Sequence, residues 1–129
     1  MPYPPPSRAG KYRILIIEDD LDSREGFRHV LEASGHEVYE TGSGVRGVEL
    51  ALSVPLDIAL IDVGLPDMDG YEVAQRIRAT AEGKRMMLIA LTGHGLPEDR
   101  QRSHGAGFDA HVVKPVDPAR LSEIFRRRE

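Results

Sequence analysis

Short apolar runs separated by stretches of helical periodicity leave this chain few ways to fold. Ile14-Leu15-Ile16-Ile17 and Ile58-Ala59-Leu60-Ile61 are two such runs, and Met86 to Leu91 and Ala110 to Val113 complete the candidate buried strands. A strand that is apolar at successive positions must be covered on both faces, as in a parallel sheet sandwiched between helices. His36-Glu37-Val38-Tyr39-Glu40 alternates instead and reads as a more exposed edge strand.

Helix signals fill the intervals. Asp20 can cap a helix carrying Phe27, Val30 and Leu31 that stops near Gly35, and Ser43 can cap one with Val45, Val48 and Leu52 on a single face. Asp69 followed by Glu72 has capping-box spacing ahead of Val73 and Ile77. Asp117-Pro118 sets a cap and an N1 proline before Leu121, Ile124 and Phe125. Residues 97–104 open with Pro97, Glu98 and Asp99 but have almost no apolar stripe, which predicts a weakly anchored surface helix. The alternation predicts an α/β fold, a doubly wound five-stranded parallel sheet with helices on both faces. Residues 11–129 are expected to form this single domain, behind a proline-rich tail over residues 1–10 that is expected to be disordered.

Composition excludes several function classes. With no cysteine among 129 residues, disulfides, thiolate metal sites and thiol nucleophiles are ruled out. A net charge of −4 argues against a nucleic-acid surface, and Arg126-Arg127-Arg128 reads as the solvated end of a helix. The longest apolar run, Met86 to Leu91, is far too short to span a bilayer, and Met1 to Gly10 lacks the apolar core of a signal peptide. A cytoplasmic chain without membrane contact is expected.

The polar residues at the strand ends carry the chemistry. The first strand runs into Glu18-Asp19, the third into Asp62, the fourth into Thr92 and the fifth into Lys114. Ligands of open α/β sheets bind at the carboxyl ends of the strands, so three carboxylates, a hydroxyl and an ammonium are expected on one rim. Clustered carboxylates repel unless a cation or a proton sits among them. Oxygen-only ligands suit a hard ion, Mg²⁺ before Mn²⁺ or Ca²⁺. Lys114 balances further negative charge, Thr92 can donate to a phosphoryl oxygen, and an aspartate is a competent covalent phosphate acceptor. Lys114-Pro115 after a buried strand can adopt the cis form in a tight turn.

Two other motifs lead elsewhere. Gly42-Ser43-Gly44-Val45-Arg46-Gly47 matches a dinucleotide-binding GxGxxG, but it follows the edge strand, and the acid ending the next strand is Asp62. Asp67 and Asp69 before Gly70 do not make a calcium loop, because the first and last ligands would be Leu65 and Arg76.

In this order the motifs resemble the receiver domains of bacterial two-component response regulators: Ile14-Leu-Ile-Ile-Glu18-Asp19-Asp20, Ile61-Asp62-Val-Gly64-Leu-Pro-Asp67-Met-Asp69-Gly70, Ala90-Leu-Thr92-Gly93 and Val113-Lys114-Pro115. The resemblance implies a flavodoxin-like sheet of order 2-1-3-4-5. It implies that Asp62 is the phosphoacceptor of a phosphorelay. Asp19 would be the main metal carboxylate, with Glu18 beside it acting partly through water and Gly64 giving a backbone carbonyl. Thr92 and Lys114 would hold phosphoryl oxygens, with small Gly93 leaving access to Asp62. The donor would be a phosphohistidine on a sensor histidine kinase or phosphotransfer domain, and phosphorylation would shift the face around residues 97–104 and 109–114 toward an unknown downstream protein. The resemblance implies that Gly64 and His94 occupy positions that would tune phosphate lifetime. His111 stands where the family usually has Tyr or Phe, and either takes over that switching role or is a plain strand residue. A rival reading is a small Mg²⁺-dependent phosphohydrolase that turns over the same aspartyl-phosphate; it would want an acid near Asp62, which Gly64 does not provide.

Overall fold

The computed structural model describes residues 11–93 and 105–127. Along the chain come β1 (Arg13–Ile17), α1 (Leu21–Ala33), β2 (Glu37–Thr41), α2 (Gly44–Ser53), β3 (Ile58–Asp62) and α3 (Gly70–Arg78). A short 3-10 turn, Gly83–Arg85, precedes β4 (Met87–Thr92), β5 (Ala110–Val113) and α4 (Pro118–Arg126). The strands form one parallel sheet in the order β2-β1-β3-β4-β5, the expected arrangement.

Period-two geometry divides the apolar runs between two cores. Leu15, Ile17, Ala59, Ile61, Leu88 and Ala90 pack with Ala51, Val73, Ala74 and Ile77 of α2 and α3. Ile14, Ile16, Ile58, Leu60, Ile89 and Leu91 pack with Leu31, Leu121, Ile124 and Phe125 of α1 and α4. Ile14 to Ile17, Ile58 to Ile61 and Leu88 to Leu91 are all 0% exposed, and burying each such Leu or Ile contributes about 2 kcal/mol. Asp20, Ser43, Asp69 and Asp117 cap α1, α2, α3 and α4 as their spacing predicts. Glu72 pairs forward with Arg76 at 2.8 Å. Among the described residues, no helix is long and apolar enough to cross a membrane.

Three expectations need correction. The inward face of α2 is Gly44, Gly47 and Ala51, while Val45 and Leu52 are 47% and 48% exposed. Glycine explains the rotation: a Cβ on Gly47 would lie 2.3 Å from Ile17 Cδ1, so the helix comes closer to the sheet than a larger residue allows. Gly44 and Gly47 of the GxGxxG pattern thus serve packing. On α1, Leu31 is buried but Val30 is 40% exposed. The fifth strand is an edge, and of its residues only Val112 is buried. The tail over residues 1–10, His94 and the expected helix 97–104 lie outside the described residues.

The register sets the rim. Ile17 lies opposite Ile61, Asp62 opposite Leu91, and Thr92 opposite Val113. The next residue of each strand therefore emerges at nearly the same height, beside the reversal of strand order between β1 and β3.

Candidate functional site

Glu18 leaves β1 with its amide donating to the Thr41 carbonyl at 3.0 Å, and its side chain is completely buried. Asp62 ends β3 and is 7% exposed; its Oδ1 accepts from the Gly64 amide at 2.8 Å. Lys114 reaches back from the end of β5, and its Nζ donates to Glu18 Oε1 at 2.8 Å and Asp62 Oδ2 at 2.9 Å. Exposed Asp19 completes the group: one carboxylate oxygen each from Glu18, Asp19 and Asp62 lie within 4.8 Å of one another. Thr92 is 2% exposed at the end of β4, and its carbonyl accepts from the Lys114 amide at 2.8 Å. A Cβ on Gly93 would meet nothing within 4 Å, so open space adjoins Thr92. The Lys114–Pro115 peptide is cis.

The predicted convergence of Glu18, Asp19, Asp62 and Lys114 is present. Gly64 sits against the Asp62 carboxylate, where its own Cβ would stand 3.6 Å from Oδ1. His111 lies half-buried in β5 opposite Ala90, on the sheet face that also carries Thr92. Sequence reasoning passed over Asp67, which lies inside the quoted motif. Its carboxylate accepts from the Gly44 amide (2.9 Å), the Val45 amide (3.2 Å) and the Ser43 hydroxyl (2.8 Å), pinning the β3–α3 loop to the start of α2. Those bonds hold it down at about 2. The only signal for it was a short acid in a turn, which reads equally as a turn former.

The electrostatics are those of a site with too much negative charge. Burial and the neighbouring Asp62 push Glu18 up to about 7, against the opposing pull of Lys114. Burial would also raise Asp62, but hydrogen bonds from Glu18, the Gly64 amide and Lys114 outweigh it and leave it below the usual carboxylate range. Burial lowers Lys114, yet the two carboxylates leave it net raised. The pair thus shares a proton near neutrality. An oxygen-only donor set whose buried member is driven to protonate fits a hard divalent cation.

That shift predicts a pH-dependent gain from metal. Glu18 has a folded value above its ordinary 4.5, so its stabilising contribution is present below that and is lost as pH rises through about 7. A divalent cation displaces the proton, so the rise in Tm produced by Mg²⁺ over EDTA is expected to grow between about pH 5 and about pH 7.5. Burial lowers His36, whose titration runs in the opposite sense, but it lies outside the acidic cluster and cancels in the metal-minus-EDTA difference. A gain independent of pH would contradict the assignment, and Glu18→Gln should flatten it.

Comparison with known proteins agrees with this geometry. A family model described as the response regulator receiver domain matches residues 14–126. The chain is 31% identical to the polar-differentiation response regulator DivK of Brucella ovis, over 88% of this chain and 92% of that protein. It is 33% identical to an uncharacterised 14.6 kDa protein of Leptolyngbya boryana, covering 88% and 87%. Among solved structures it resembles the receiver domain of a Pseudomonas aeruginosa sensor histidine kinase, which has a magnesium ion coordinated in its active-site cleft (TM-score 0.84, 32% identity, 91% and 96% covered). It also resembles the Vibrio cholerae chemotaxis protein CheY4 (TM-score 0.85, 26% identity, 91% and 98% covered).

Proposed function

The chain belongs to the response regulator receiver domain family, and we propose that it is a phosphoacceptor switch of a two-component phosphorelay, with Asp62 as the acceptor. The observation that carries this reading is the Lys114 ammonium, which bridges Glu18 and Asp62 inside a cluster of three carboxylates.

An Asp62 carboxylate oxygen attacks the phosphorus of a phosphohistidine. The bond from phosphorus to the imidazole nitrogen breaks, and its electron pair stays on that nitrogen. Lys114 exchanges a carboxylate oxygen for a phosphoryl oxygen, and the Thr92 hydroxyl donates to another. Little more is asked of a protein in this chemistry than position and charge neutralisation. The Glu18, Asp19 and Asp62 carboxylates with the Gly64 carbonyl would hold Mg²⁺, with Mn²⁺ as a substitute; the ion supplies neutralising charge. Gly93 leaves room for the incoming group, Gly64 adjoins the Asp62 carboxylate, and the residue types at positions 64 and 94 would set the lifetime of the acyl phosphate. Gly64 has no side chain to serve as a second acid, which supports a switch over a hydrolase.

The donor is a sensor histidine kinase or a phosphotransfer domain. An apolar groove adjoining Lys114, lined by Phe27, Val30, Pro115, Val116 and Leu121, supports docking of such a domain there. Incubation with acetyl phosphate and Mg²⁺, followed by intact-mass measurement, tests the chemistry: one phosphoryl group per chain is expected, and no added mass sinks the reading.

His111 relays the change through the Thr92 face of β5. Moving a two-state element from 1:99 to 99:1 takes roughly 5.5 kcal/mol of differential interaction, a large part of which new contacts to a dianionic phosphoryl can supply. Amide chemical-shift changes on phosphorylation should shrink in His111→Ala along residues 105–113. Equal changes in both proteins would remove His111 from the switch.

A further inference from the structure

We propose that Arg24 is a positioning residue for the metal-binding acids, with Gly42 providing the space it occupies. This rests on the reading of Glu18, Asp19 and Asp62 as a divalent-cation site. Arg24 lies one turn into α1, and its Nη1 donates to the Glu18 carbonyl at 2.8 Å. Its Nε donates to Glu40 Oε1 on β2 at 3.2 Å. Glu40 is in turn 2.7 Å from Arg28, an ion pair in the same half-buried layer. The Glu18 amide is already held by Thr41, so Arg24 fixes the other side of the same residue, at the peptide that leads into Asp19.

The glycine at the start of the unused GxGxxG pattern belongs to this arrangement. A Cβ on Gly42 would stand 2.8 Å from Arg24 Nη1, 3.5 Å from the Asp19 Cα and 3.6 Å from the Glu18 carbonyl oxygen. Glycine at 42 leaves the space that the guanidinium occupies beside the turn that bears the acids. Asp67 does the corresponding work on the β3–α3 loop, so one acid-bearing loop is tied to β2 through Arg24 and the other to the start of α2 through Asp67. Such bracing matters because carboxylates this close repel and would spread apart unless the backbone were held. Partners that orient metal ligands commonly change affinity about 10- to 100-fold when removed.

Charge and position make opposite predictions, which allows a clean test. Removing a cation beside an acidic cluster should tighten Mg²⁺ binding if Arg24 acts only through its charge. It should weaken binding if Arg24 holds the ligands in place. Calorimetric titration of the full chain with MgCl₂ is expected to show a Kd about 10-fold higher in Arg24→Met than in wild type. Arg24→Lys, which keeps the charge but cannot span both acceptors, should fall between them. Unchanged or tighter binding in Arg24→Met overturns the proposal. Should that variant fail to fold, Gly42→Ala decides: it displaces the guanidinium without changing any charge, and a Kd equal to wild type overturns the proposal. Failure of the wild type itself to bind Mg²⁺ would instead overturn the metal-site reading.

Discussion

Asp62→Asn is expected to take no phosphoryl group from acetyl phosphate under conditions that fully label wild type, with the fold unchanged. The amide is nearly isosteric with the carboxylate, and its oxygen can still accept from the Gly64 amide, so the β3–α3 turn stays formed. What disappears is the nucleophile, since a neutral carboxamide lacks the anionic oxygen that attacks phosphorus and its nitrogen lone pair is delocalised into the carbonyl. Secondary effects follow from the same contacts. Lys114 keeps Glu18 as its partner, while Glu18 loses the Asp62 hydrogen bond and charge that help raise it. Glu18 should therefore ionise at lower pH in the variant, and Tm in EDTA should depend less on pH near neutrality. Intact mass after labelling gives the primary result, and labelling of Asp62→Asn at the wild-type level would move the acceptor elsewhere.

Arg78→Ala is expected to cost about 3 kcal/mol of stability. Its Nε donates to the Gly107 carbonyl at 2.8 Å, and Nη1 donates to the carbonyls of Gly83 (2.7 Å) and Met86 (2.6 Å). Nη2 pairs with Asp109 at 2.6 Å, and the same Asp109 oxygen accepts from the Leu88 amide at 2.8 Å. One guanidinium thus ties the end of α3 to the 3-10 turn, the start of β4 and the entry to β5. Truncation removes one donor each from three carbonyls and a carboxylate where Arg78 is only 20% exposed, although Asp109 keeps the Leu88 amide and Gly83 the Met86 amide. Urea denaturation should show the loss, roughly 10 °C in Tm for a domain of this size. Arg78→Lys should recover little, because one ammonium cannot satisfy acceptors spread around a planar fork. A loss below about 1 kcal/mol would show that water replaces these bonds at little cost.

Much of the molecule was legible beforehand because it depends on local rules. Strands with unbroken apolar runs have to be covered on both faces, and short polar residues before helical patterns cap them, so β1, β3, β4 and the starts of all four described helices fell where expected. Where the reading failed, the deciding contact was distant in sequence. Val45, Val48 and Leu52 make a proper helical stripe, yet α2 turns Gly44, Gly47 and Ala51 inward and leaves Val45 and Leu52 exposed, with Val48 partly buried against the core. Close approach to Ile17 is available only through the glycines, and a hydrophobicity count gives glycine no weight. Arg24 and Asp67 were missed for a related reason. An arginine on a helix and an aspartate in a turn are ordinary surface residues until the fold places a carbonyl or a helix start in front of them.

The sequence alone determined which residues end the strands and what chemistry they carry: Glu18, Asp19, Asp62, Thr92 and Lys114, with no cysteine to compete. Residue type and strand periodicity are local properties, so they can be read along the chain. Only the tertiary structure decided that the Lys114 ammonium sits between Glu18 and Asp62, and that Glu18 rather than Asp19 is the buried acid driven up to about 7. Those outcomes depend on strand register, burial and the distance between charges, which arise only when segments about 50 to 100 positions apart are brought together.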